Sequence, residues 1–176
     1  MPCTTPARGY RIPIEQEVQR TGCRLTLDLR VDMSSNLFPF MNRTRTEAVL
    51  AVSLAEADQE ALEAMFQRLP WKLRMAATLA QGVRQAMSGS VRAVICSREL
   101  PGGTWRVLLD TIRELDHPPR LIVASRLADE SLWAEVLNLG GYDVLATPFD
   151  GEEVRRVLSN AVESWYWQAH TAAKCG

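Results

Sequence analysis

From residue 48 onward, five short apolar runs alternate with amphipathic segments of helical period. That alternation constrains the fold more than any other feature of the 176-residue chain. Residues 48–54 form a near-continuous apolar run of strand length, the pattern of a strand covered on both faces. Leu62, Met65, Phe66 and Leu69 follow at i, i+3, i+4 and i+7, one helical face stopped by Pro70. Residues 72–77 predict a second, more exposed strand. Thr78 and Gln81 are spaced as a capping box for a helix that buries Leu79, Val83 and Met87 and ends near Gly89. Residues 91–96 predict a third strand, and beyond the turn at Pro101, Gly102 and Gly103 a third helix buries Trp105, Leu108, Leu109 and Ile112. Pro118 and Pro119 close that helix ahead of a fourth strand, 121–124. A fourth helix presents Leu132, Val136 and Leu139 and is capped by Gly140 and Gly141, with a fifth strand at 142–146. Asp150 and Glu153 then open a last helix whose inner face is Val154, Val157, Leu158, Ala161, Val162 and Trp165.

This order predicts an α/β fold, a flavodoxin-like (βα)5 three-layer sandwich with right-handed crossovers and a parallel sheet in the order 2-1-3-4-5. Five units are too few for a closed eight-fold barrel. The predicted domain runs over 48–168, with an N-terminal extension at 1–47 and a C-terminal tail at 169–176. Within the extension, Cys23, Leu25, Leu27, Leu29, Val31 and Met33 alternate with Arg24, Thr26, Asp28, Arg30 and Asp32, a half-buried strand pattern over 23–33. It reads either as a partly ordered arm or as a strand that adds to a sheet edge of this chain or a neighbour.

Charge narrows the function classes. Twenty basic residues stand against 21 acidic ones, a net charge of −1, so no overall field draws a nucleic acid or a membrane surface. Only Lys72 and Lys174 are lysines, which leaves little room for Schiff-base or phosphate-clamping lysine chemistry. Cys3, Cys23, Cys96 and Cys175 are scattered, without a CxxC pair or a nearby His, so neither a metal nor another cofactor is expected. Cys96 sits inside an apolar run and reads as a core residue. No window approaches the ~18 apolar residues of a membrane span and the N-terminus lacks a signal-peptide pattern, so a cytoplasmic location is expected. The Gly-rich phosphate cradles that follow a first strand are missing, and Ser97 has no His in reach, so the chain is not expected to be an enzyme.

In a doubly wound sheet, ligands sit at the carboxyl ends of the strands. Two stretches there carry a resemblance: Val94-Ile-Cys-Ser-Arg-Glu-Leu-Pro-Gly-Gly103 and Leu139-Gly-Gly-Tyr-Asp-Val-Leu-Ala-Thr-Pro-Phe149. At this separation they resemble the response-regulator receiver domains, the CheY-like superfamily, over residues 48–168. The resemblance implies a bacterial two-component or phosphorelay context and a cis bond before Pro148. It also implies where the family's phosphorylation chemistry would lie. The acceptor Asp falls on Ser97, the Mg²⁺-holding acidic pair on Ser53 and Leu54, the phosphoryl-binding Thr or Ser on Ala124, the Lys on Thr147, and the switch aromatic on Val144. Each position is vacant of the family residue. Glu56 and Asp58 are expected to supply charge and capping at the first turn of the first helix.

The expectation is therefore a degenerate, pseudo-receiver signalling module that works by phosphorylation-independent protein–protein contact. The family's partner and dimer face, built from helix 4, strand 5 and helix 5, would here carry Trp133, Leu137, Val144, Tyr166 and Trp167 toward a protein partner or a second copy. The alternative class is a small-molecule or anion-binding domain that uses the vacated pocket, with Arg98 and Ser125 as ligand contacts beside Ser53, Ser97 and Thr147.

Overall fold

Strands β1 (Ala48–Val52), β2 (Lys72–Ala76), β3 (Val91–Ser97), β4 (Arg120–Ser125) and β5 (Asp143–Ala146) pair in parallel, in the order β2-β1-β3-β4-β5. Helices α1 (Glu56–Phe66), α2 (Leu79–Ala86), α3 (Trp105–Arg113), α4 (Glu130–Leu139) and α5 (Gly151–Ala172) link or follow them. The computed structural model describes residues 47–172, so the extension and its alternating segment 23–33 lie outside the described residues. The fold is the flavodoxin-like sandwich that the strand and helix periods predict.

Alternate residues of the sheet feed two cores, because successive side chains on a strand point to opposite faces. Leu50, Val52, Val94, Cys96, Leu121 and Val123 pack with the inner faces of α2, α3 and α4. Val49, Ala51, Ala93, Ile95, Ile122 and Leu145 pack with α1 and α5. The i, i+3, i+4, i+7 set of α3 is buried in full, and so is every inner-face residue predicted for α5. Each large apolar side chain so buried stabilises the fold by roughly 1.5–3 kcal/mol relative to exposure.

The caps explain where the helices start and stop. Thr78 Oγ1 accepts from Gln81 N at 3.3 Å, and the Gln81 side chain accepts from Ala77 N at 2.9 Å, so the reciprocal bond falls one residue before the N-cap. Asp150 accepts from Glu153 N at 2.9 Å, and Gly140, at φ +88°, gives α4 its left-handed C-cap. Asp129 caps α4 by accepting from Leu132 N at 2.8 Å. α1 departs from expectation. Its N-cap is Ala55, with no side-chain cap, and Gln59 Nε2 instead reaches back to the Leu54 carbonyl at 2.7 Å.

Two apolar residues assigned to the core lie outside it. Met87 is 64% exposed, because α2 meets the sheet through Gly82 and Ala86 and turns away at its C-cap. A Cβ at Gly82 would stand 3.1 Å from both methyl groups of Val52, so the absence of a side chain there is what lets α2 lie this close. Leu139 is 40% exposed, at the last turn of α4 just before the chain reverses at Gly140. The Pro101 turn closes a two-residue antiparallel ladder between Glu99–Leu100 and Gly103–Thr104, and its Pro101 carbonyl accepts from Leu79 N at 3.2 Å.

Candidate functional site

The carboxyl ends of β1, β3, β4 and β5 bring Ser53, Ser97, Ser125 and Thr147 to one edge of the sheet. Their polar groups bond to one another and to the strand ends. Ser97 Oγ donates to the Ser53 carbonyl at 2.5 Å, and Ser53 N donates to Ala76 O at 2.8 Å. Those two bonds hold Ser53 at φ +52°, a left-handed conformation that costs a residue with a Cβ about 1–2 kcal/mol. Ser125 is engaged as well: its hydroxyl oxygen accepts from Leu127 N at 3.2 Å and its carbonyl from Thr147 N at 3.0 Å. Leu54 and Ala124 turn into the α1/α5 core, 6% and 5% exposed. Arg98 is exposed, and its side chain makes no hydrogen bond or ion pair among the described residues. Thr147 precedes Pro148 through a cis bond.

The donor set decides what this edge can hold. Mg²⁺ asks for near-octahedral oxygen coordination anchored by carboxylates. Ser53, Leu54 and Ser97 supply two hydroxyls and an apolar side chain, and the Ser53 carbonyl already accepts from Ser97, so these residues do not fit a hard divalent cation. Glu56 and Asp58 belong to the first turn of α1. Among the described residues no three His, Cys, Asp or Glu side chains group as metal ligands. Cys96 is fully buried in β3, and burial pushes its thiol well above the ordinary range, so it stays protonated and unreactive.

The residues expected on the α4/β5/α5 face do not form one patch. Trp133 is 50% exposed, and its Nε1 donates to Asp143 Oδ1 at 3.2 Å. It walls a cavity of about 260 Å³ with Ala128, Asp129, Glu130, Ala146 and Glu153. Val144 is buried, not presented: it faces the α3/α4 core from the middle of β5 and contributes only the cavity's floor. Leu137 is partly buried on α4, and Tyr166 is partly buried edge-on against Trp165 at 5.1 Å. Trp167 is 66% exposed but lies fourteen residues along α5 from Glu153, about 21 Å of helix rise. The cavity beside Trp133 and the exposed Trp167 therefore occupy opposite ends of the face.

Sheet order and helix layers are those of a flavodoxin-like fold, and the cis Thr147–Pro148 bond is the one that the resemblance to receiver domains implies. No family model matches the chain, and no curated protein matches it by sequence. Solved structures do. The signal receiver domain of an HD domain-containing protein from Pseudomonas fluorescens Pf-5 is 26% identical with a TM-score of 0.64, over 73% of this chain and 95% of that one. The receiver domain of a sensor histidine kinase from Pseudomonas aeruginosa PAO1, which has a magnesium ion coordinated in its active-site cleft, is 24% identical with a TM-score of 0.58, over 66% and 98%. The beryllofluoride-activated NtrC4 receiver domain, a dimer in solution, is 20% identical with a TM-score of 0.61, over 67% and 98%.

Proposed function

We propose that this chain is a degenerate receiver that signals by protein contact without aspartyl phosphorylation. The observation that carries the reading is the Ser97–Ser53 bond. At the end of β3, where a receiver needs a carboxylate nucleophile beside a metal, a serine hydroxyl is spent on the turn after β1. A hydroxyl cannot form an acyl phosphate, and Ser53, Leu54 and Thr147 offer neither the carboxylates nor the Lys that would offset the charge developing in phosphoryl transfer. The fold is kept while the groups that run its chemistry are replaced, which supports a role for the domain as a docking body in a bacterial two-component pathway. Its contact with a protein partner or a second copy runs through α4, β5 and α5, with the cavity beside Trp133 at one end of the face and Trp167 at the other.

The chemical half of the reading is tested by incubating the full chain with acetyl phosphate and Mg²⁺ and weighing it intact. No hydroxylamine-sensitive mass gain is expected, and a gain that maps to residues 47–172 overturns the reading. The contact half is tested by Trp133→Ala and Trp167→Ala. If both variants fold and self-associate like the parent chain, the face is not the interface.

A further inference from the structure

At the amino ends of β4 and β5, on the edge opposite the serines, lies a second cavity of about 160 Å³. Arg113 from the end of α3, Arg120 at the start of β4, the Gly140–Gly141 turn and Tyr142 line it. Buried or half-buried cations are normally matched by carboxylates, because desolvation without a counter-charge is costly. Arg120 breaks that pattern. Its Nη2 donates to the Ser164 carbonyl at 3.1 Å and to Ser164 Oγ at 2.9 Å, its Nε is buried without a partner, and among the described residues no carboxylate pairs with it. Burial lowers its pKa, with Tyr142 opposing the shift.

Two further residues with donor groups line the same space. The Tyr142 hydroxyl has no hydrogen-bond partner among the described residues, and burial raises its pKa, an effect that Asp143 and Glu163 reinforce and Arg120 opposes, so it remains a donor at neutral pH. Arg113 pairs with Asp110 at 3.8 Å, but the side chains of both are substantially exposed and such pairs are worth little. An anion that bridges two guanidinium groups displaces such a pair readily. Gly140 completes the wall: a Cβ there would collide with the Arg113 guanidinium, so the turn that caps α4 also makes room for it.

We propose that this cavity binds a tetrahedral oxyanion of the phosphate type, held by Arg113, Arg120 and the Tyr142 hydroxyl. Guanidinium groups suit such a ligand because their planar forks hydrogen-bond phosphate oxygens in pairs. The site is independent of the contact face beside Trp133 and lies on the edge of the sheet away from Ser97, so it stands whether or not the chain is a phosphorylation-independent receiver.

Amide NMR of the full chain, titrated with inorganic phosphate against sodium chloride at equal ionic strength, tests the site. Saturable shifts at Gly140, Gly141 and Tyr142 are expected. Arg113→Gln, an exposed change that spares the core, is expected to weaken binding roughly tenfold or more, and Tyr142→Phe by a smaller factor. A parallel titration with glycerol phosphate separates sources: tighter binding than inorganic phosphate identifies the phosphate end of a small molecule, and equal binding identifies the free ion. Linear, unsaturable shifts with both, or wild-type affinity in Arg113→Gln, overturn the proposal.

Discussion

The two edges of the sheet are built on opposite principles. At the carboxyl ends, where a fold of this kind places its chemistry, Ser53, Ser97, Ser125 and Thr147 are small, uncharged and bonded to one another and to neighbouring strand ends. At the amino ends, arginines set the character. Arg92 lies 3.9 Å over the Trp165 ring and 3.8 Å from the buried Glu47 carboxylate, and Arg120 reaches Ser164 from beneath Tyr142. The carboxyl edge is closed by hydrogen bonds among small neutral groups, and the amino edge carries arginines packed on aromatic rings.

Trp165→Ala is the largest expected breach of that contrast. It removes a 9%-exposed ring that stacks with Arg92, meets the His117 ring edge-on at 6.1 Å and donates Nε1 to the His117 carbonyl at 3.4 Å. A loss of about 3–5 kcal/mol in urea unfolding is expected. Gly140→Ala comes next, at about 2 kcal/mol. It forces a Cβ into φ +88° and against Arg113, and in the same NMR titration it should weaken phosphate as well as stability. A smaller loss at Trp165 than at Ser97 would reverse the comparison.

Cys96, in the strand that joins the two edges, gives a prediction in pH. Burial raises its pKa in the folded chain far above that of a free thiol, so the folded state keeps a proton that the unfolded state releases as pH climbs past about 9. Stability should be unaffected by this group below pH 8 and should fall above pH 9 by about 1.4 kcal/mol per unit, read from urea midpoints. A Cys96→Ala control, whose curve lacks that limb, isolates it. Ser97→Ala is the smallest effect, about 1 kcal/mol, because it leaves the Ser53 carbonyl short of one hydrogen bond at a part-buried site. A loss several times larger would mean that the carboxyl edge is a keystone and not merely quiet.

Periodicity made most of the fold legible. The buried sets of α3 and of α5 through Trp165 were readable residue by residue because each faces the sheet over that span, so helical period and burial coincide. Met87 and Leu139 misled because they fall in last turns, where a helix parts from the sheet while its period runs on. Val144 misled differently: expected on the partner face, it points from β5 into the α3/α4 core, because successive strand residues face opposite sides. At the carboxyl edge, the residue types were legible and their bonding was not, since Ser53 and Ser97 are 44 positions apart. The amino-edge cavity left no motif at all. Arg113, Arg120 and Tyr142 look like ordinary residues at element ends, and the lack of a carboxylate beside Arg120 among the described residues is a property of space.

The sequence alone determined the number and order of the strands and helices and the buried sets of α3 and α5, because these follow from local spacing and residue identity. Only the tertiary structure decided which polar groups satisfy one another and which cations are left without a carboxylate. Hydrogen bonds and charge pairing depend on distances between residues that only chain folding brings together.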